Sequence, residues 1–239
     1  MRFLGPELLI AGSGEAELRA PLGASMPGYF QDRKATGVLD PLKARAVVLQ
    51  RGAMRGALVA LDLVGLEAIE ANACRKAVER ATGIPAAHVW IHATHSHTGI
   101  MIPRRFTSDA DSIVPHFFAG DVDQAWVAQL PDRVVDAVTA AQKTAKPGPA
   151  ELAQTKAEKL AFYRRFAMKD GTVRTNPGRN NPNVLGPVGD VDPNLTVIRF
   201  PESKTLIVIF GLHPDVIGGT RFSADYPGFL AARLREQLG

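Results

Sequence analysis

Apolar positions along the chain follow two rhythms, one alternating and one helical. Residues 43–50 and 55–62 read as strands joined by a turn around Arg51 and Gly52. Within the second, 56–61 is continuously apolar, the pattern of a strand covered on both faces. Leu66, Ile69, Ala73 and Ala77 then recur at helical spacing, and Gly83 and Pro85 supply a stop, so a helix is predicted over about 66–81. Residues 88–92 are short and β-prone, and an abrupt polar loop follows them. Strand, helix, strand in that order predicts a right-handed crossover joining a parallel pair. A second helical stripe of Val127, Leu130, Val134, Val138 and Ala141 predicts a helix over about 123–141, kinked or split at Pro131.

After Lys146-Pro147-Gly148-Pro149 the pattern changes. Residues 151–159 and 160–168 read as extended, and Lys169-Asp170-Gly171 is a hairpin turn. The Asn-, Pro- and Gly-rich stretch 175–192 reads as a long loop. Residues 194–200 and 205–210 predict a hairpin across 201–204, and a last helix starts near Asp225 or Tyr226. Together these elements predict an α/β fold: a mixed, largely buried sheet flanked by helices, with a hairpin-rich middle segment.

Composition narrows the class. The 239 residues are 46% hydrophobic and 22% charged, ordinary values for a globular chain. The formal net charge of +4 divides into 16 basic and 15 acidic side chains in 1–150, and 12 and 9 in 151–239. That balance gives weak support to nucleic acid or a membrane surface as partner, and no nucleic-acid partner is expected. No apolar run approaches the ~18 residues of a transmembrane segment. The first six residues hold too short an apolar stretch for a signal-peptide core, and the compartment stays open. The single cysteine, Cys74, excludes an intrachain disulfide and any CxxC metal site.

The candidate chemistry lies at strand ends. Four of the six histidines fall within ten residues, and His95 and His97 follow a strand directly. Side chains two apart in an extended segment point to one side, so both rings can meet one ion or one substrate. His213 follows the 205–210 strand in the same way, ahead of a flexible 216–220 stretch. In open α/β sheets ligands bind beyond the carboxyl ends of strands, so a shared metal is a candidate. The competing readings are solvated loop histidines and a turn histidine before Pro214. His88, His92 and His116 read as structural or surface residues. Asp225 opens the last helix and suits a first-turn acid. Arg164 and Arg165 lie on a strand whose alternation turns only one of them toward a site. The sequence has no GxSxG elbow, Walker A or GxGxxG, and Gly12-Ser13-Gly14 is too short for a phosphate loop.

Several ordered motifs together resemble the neutral/alkaline ceramidase family. They are Met26-Pro27-Gly28-Tyr29, 37–45 (GVLDPLKAR), 93–99 (ATHSHTG), 168–178 (MKDGTVRTNPG), Val191-Asp192-Pro193, His213-Pro214 and 223–228 (SADYPG). They span about 12–239, and the KDGTVR stretch is most similar to bacterial ceramidase-like proteins of undefined substrate. The resemblance implies a zinc-dependent amidase acting on ceramide or another N-acyl lipid amide. It implies His95 and His213 as zinc ligands, His97 as a catalytic residue beside the metal, and Arg164 or Arg165 as a substrate-holding arginine. Tyr29 and Asp225, within matching motifs, are candidate substrate-binding residues, and Tyr29, Phe30, Ile100, Met101 and Ile102 are candidates to line an acyl path.

The same resemblance implies a further glutamate and tyrosine ligand, and a serine nucleophile, downstream of the position matching His213. None falls within the 239 residues. The chain is therefore expected to be the N-terminal part of a longer catalytic domain, with a half-built site of little zinc affinity and no turnover by itself. Two other readings compete. One is an amidohydrolase-type (β/α)8 metal hydrolase, which would need regular βα repetition. The other is a non-catalytic binding module retaining the fold.

Overall fold

The structure is a computed structural model, and it describes residues 2–3, 9–29, 31–102 and 120–238. Its centre is a five-stranded mixed sheet of β1 (Leu9–Glu17), β2 (Lys43–Arg51), β3 (Met54–Leu61), β4 (Val89–Ala93) and β5 (Lys146–Gly148), in the order β4-β3-β2-β1-β5. Helix α1 (Ala68–Thr82) joins β3 to β4, which pair in parallel with Val59 opposite Ile91. Every other pairing in this sheet is antiparallel. Gly83, in the left-handed region with φ 69°, ends α1 by donating its N–H to the Glu79 carbonyl.

The core lies between one face of this sheet and two helices. Ala44, Ala46 and Val48 of β2, Ala57, Val59 and Leu61 of β3, and Val89 and Ile91 of β4 are buried there against α1 and α2 (Gln124–Thr144). Glycine makes that approach possible. A Cβ at Gly12 or Gly14 would stand 2.3 Å from backbone atoms of Ala141, so the Gly12-Ser13-Gly14 run is where α2 lies down on β1. Pro131 sits inside one continuous helix rather than at a break. The buried stripe of Trp126 and Leu130 before it, and Val134, Ala137, Val138 and Ala141 after it, holds the helix together past the missing N–H.

The apolar 56–61 run is not covered equally on both faces: Ala57, Val59 and Leu61 are buried, whereas Leu58 and Ala60 are half-exposed. That second face meets the rest of the chain only in part. There Arg235 of α3 (Asp225–Leu238) pairs with Glu15 at 2.6 Å, and the Thr205 hydroxyl bonds Ser13 Oγ at 3.2 Å.

Beyond the central sheet, β6 (Glu151–Lys156), β10 (Asn194–Phe200) and β11 (Thr205–Phe210) form an antiparallel sheet with Arg2–Phe3. Its Phe200 packs a small second core with Ala11 and Ala150. Between β6 and β10, three short strands make a separate sheet: β7 (Arg165–Met168) in the centre, β8 (Val173–Thr175) and β9 (Val184–Pro187) at its edges. The last of these falls inside the stretch expected to be a loop. The described residues contain one βαβ unit surrounded by hairpins, which is not the repetition a (β/α)8 barrel requires. No helix among them is long and apolar enough to cross a membrane.

Candidate metal centre

The parallel pair β3–β4 points its carboxyl ends the same way, and the chain there is pinned before it turns. Thr94 N–H bonds the Leu61 carbonyl at 2.8 Å and His95 N–H the Leu63 carbonyl at 2.9 Å. His95 takes a left-handed φ of 76°, uncommon for a residue with a Cβ. Ser96 and Thr98 both donate their hydroxyls to the Ser223 carbonyl, at 2.8 and 2.9 Å. His97 N–H reaches the Pro214 carbonyl at 3.4 Å. The histidine loop is thus laced to the segment carrying His213.

Three imidazoles converge as a result. One ligand nitrogen from each of His95, His97 and His213 lies within 4.8 Å of the others, and ring centroids are 4.7–5.1 Å apart. His95 Nδ1–H donates to the Val64 carbonyl at 2.6 Å, which leaves its Nε2 with a free lone pair. That Nε2 stands 3.4 Å from Nε2 of His97. On the other side of the His97 ring, Nδ1 is buried without a hydrogen-bond partner, 3.8 Å from Asp215 Oδ1. The carboxylate favours the proton on that Nδ1, and two Nε2 lone pairs then face each other across the gap. That arrangement can hold a cation between them. Two nitrogens about 3.3–3.4 Å apart subtend a tetrahedral angle at an ion with bonds of about 2.05 Å, so the spacing fits zinc–imidazole ligation. The held His95 Nδ1–H is the outer-shell contact that metal-binding histidines usually carry.

Burial pushes the His97 pKa down from 6.5 to about 4; His213 and His95 add to the fall, while Asp215 opposes it. His213 is lowered too, first by burial and then by the charge of Arg164. Both rings therefore resist protonation. Because the unfolded chain takes up a proton on His97 near pH 6.5 and the folded chain only near 4, the metal-free fold loses stability as pH falls through that window. Urea midpoints measured across it are expected to fall more steeply for the wild type than for His97→Gln.

Tyr29 stands beside this cluster. Its hydroxyl donates to Asp215 Oδ1 at 2.7 Å, and its ring lies 5.8 Å from that of His97. Arg164 is the arginine whose charge reaches His213, whereas Arg165 is exposed on β7 opposite Thr175. Asp225, expected at the substrate, sits underneath the site instead. It is fully buried, and its carboxylate accepts N–H groups of Val216, Ile217 and Tyr226 at 3.0, 2.9 and 2.6 Å, which fixes the loop after His213. Ile100, Met101 and Ile102 are buried as well, so they pack the interior rather than line an open path. Phe30 and His116 lie outside the described residues. His88 and His92 are exposed and are not among the clustered rings, with Nδ1 atoms near the carbonyls of Arg55 and Ala93. A groove of about 710 Å³ beside His88 and Trp90 lies at the opposite, amino-terminal end of β4 and holds none of the three clustered histidines.

Three residues that pattern reasoning passes over complete the surroundings. Asp215 is one. Arg33 is another: its guanidinium donates to the carbonyls of Pro27, His97 and Gly219 at 2.8, 2.6 and 2.7 Å and lies 3.9 Å over the Tyr29 ring. The third is Gly28, at φ 96°, where a Cβ would stand 2.4 Å from His97 Nδ1.

At the level of sequence, no family model and no curated protein matches the chain. Among solved structures, neutral ceramidase from Pseudomonas aeruginosa superimposes with a TM-score of 0.72 over 98% of this chain, at 19% identity. The chain shares its fold with neutral ceramidase. A second structure, a ceramidase complexed with C2, gives a TM-score of 0.71 over 98% of the chain at 18% identity. At such identities the likeness is one of fold. The chain spans just over a third of these ceramidases, 37% and 36% of their lengths.

Proposed function

We propose that the chain carries the histidine portion of a zinc-dependent amide hydrolase of the neutral ceramidase type, acting on ceramide or another N-acyl lipid amide. The observation that carries this reading is the convergence of His95, His97 and His213 beyond the strand ends of a chain with the ceramidase fold. A cluster of neutral imidazoles suits zinc better than the hard cations that prefer oxygen. Zinc bound there supplies a Lewis acid for an amide carbonyl.

The chain's own residues do the rest. His95 and His213 hold the ion, and the Val64 carbonyl fixes the His95 tautomer. His97, neutral down to about pH 4, keeps a nitrogen lone pair at the site. Asp215, held by the Tyr29 hydroxyl, faces the far nitrogen of that ring. Arg164 brings a positive charge beside His213, in position to attract a carbonyl oxygen or a carboxylate product.

The test is release of fatty acid from a short-chain N-acyl sphingosine, assayed with this chain and with the product of its complete open reading frame. Zinc-dependent release is expected from the product of the complete reading frame, with little or none from these 239 residues by themselves, and it should fall at least ~100-fold in His95→Ala and His213→Ala. A zinc-loaded product of that frame that leaves N-acyl amides intact, or variants as active as the wild type, would contradict the proposal.

A further inference from the structure

The small three-stranded sheet β8-β7-β9 is an outlying element whose surface has an unusual make-up. Between residues 159 and 188 there are six basic side chains and one acidic one, an excess larger than the +4 of the whole chain. The one acid, Asp170, is taken by Arg174 at 2.8 Å. The other five cations, Lys159, Arg164, Arg165, Lys169 and Arg179, are all exposed and form no ion pair among the described residues. Apolar side chains stand exposed among them: Leu160 at 61%, Phe162 at 72%, Leu185 at 66%, with Val173 and Val188 also open.

The ladder puts the Arg165 charge and the exposed Val173 on one side. Arg165 pairs with Thr175 and Ala167 with Val173, so these four side chains share a face. The opposite face carries the half-buried Phe166 and the buried Met168. Val188 N–H bonds the Arg165 carbonyl at 3.1 Å, which brings a further exposed apolar side chain to the same strand. Lys159 adjoins the exposed Leu160 in sequence, with the exposed Phe162 two residues on, and such a mix of exposed cations and apolar side chains is what an anionic bilayer surface accommodates: the rings and methyls enter the interface and the cations meet the headgroups. A nucleic acid would use the cations and leave the aliphatic side chains unsatisfied. Arg164 lies at the root of this sheet, close enough to His213 to lower its pKa, so the arm adjoins the histidine cluster.

We infer that the 159–188 arm docks the protein on anionic phospholipid membranes, with Leu160 and Phe162 inserted and Lys159, Lys169 and Arg179 on the headgroups. Averaging charge over halves of the chain hides this, because 189–239 contributes six acids against five bases. Docking needs no metal, so it stands or falls separately from the proposed hydrolase activity.

The experiment is co-sedimentation of the full chain, with chelator present, on phosphatidylcholine vesicles with and without phosphatidylserine. Binding is expected on the anionic vesicles, with little on phosphatidylcholine alone, and it weakens as salt is raised. The triple variant Lys159→Glu, Lys169→Glu, Arg179→Glu should lose roughly 100-fold or more in partitioning, at about fivefold or more per cation. The double variant Leu160→Ser, Phe162→Ser should bind at least ~10-fold less well at unchanged charge. Three results would overturn the inference. One is equal binding to both vesicle types, or none to either. Another is a dimer that the Leu160→Ser, Phe162→Ser change converts to monomer while vesicle binding persists, which would make the face an interface between copies. The third is single-stranded oligonucleotide binding that depends on the cations but is indifferent to Leu160→Ser, Phe162→Ser, with no vesicle binding.

Discussion

Alanine at His95 or at His213 is expected to lower the affinity of the chain for zinc at least ~100-fold. Even an outer-shell partner of a metal-bound histidine is worth about 10–100-fold, and these substitutions remove the donor nitrogen itself. His95 leaves a further loss behind it, because the Val64 carbonyl then has no ring N–H to accept at 2.6 Å. Neither ring is in the packed core: His95 is exposed and His213 half-buried, so both variants are expected to fold. His97→Ala behaves differently. It removes a buried ring that packs on Gly28 and faces Tyr29, so metal affinity and local order fall together. Competition with a chromophoric chelator reads the affinities, and circular dichroism checks the fold. Retention of zinc in either His95→Ala or His213→Ala would show that the ion sits elsewhere.

The second large effect is expected from a residue that touches no metal. Gly28→Ala places a methyl group 2.4 Å from His97 Nδ1 and 2.5 Å from its Cγ, closer than real side chains come. It also forces alanine into φ 96°, and strain of this kind costs roughly 1–3 kcal/mol. The clash moves either the His97 ring or the segment before Tyr29, and each alternative pulls apart the Tyr29–Asp215–His97 set. Zinc affinity should fall at least ~10-fold, as for loss of an outer-shell partner. Gly52→Ala is the control. It has a positive φ of 57° but open space around it, so it bears backbone strain without touching the site and should keep full affinity. Equal affinity in Gly28→Ala and wild type would mean that the packing of His97 does not govern the centre.

What could be seen in the sequence was local. The β2–β3 hairpin, α1 and the β10–β11 hairpin are written in apolar periodicity and in the turn residues that end it, such as Gly83 and Pro201. His95, His97 and His213 were visible because each follows a strand end. What escaped depends on contacts distant in sequence. Strand β9, within an Asn- and Pro-rich stretch, has no apolar rhythm, and pairing with Ala167 and Met168 makes it a strand. Asp225 reads as a helix-start acid and does start α3, yet nothing local shows that the loop after His213 folds back onto its carboxylate. Arg33 and Asp215 act across separations of 186 residues, to Gly219 and Tyr29 respectively, which no short motif encodes. The ligand count also shifted. The sequence points to two histidines on the ion with a third beside it, whereas the geometry offers three nitrogen donors in one space, so retention of zinc replaces the weak binding expected of two ligands.

The most direct test of that centre is the X-ray absorption spectrum of the zinc-loaded chain after exhaustive dialysis. The account predicts one zinc per chain with imidazole scattering from two to three histidines at about 2.0–2.1 Å, lost in the His95→Ala, His213→Ala double variant. Zinc that washes out completely, or remains with oxygen ligands alone, would contradict it.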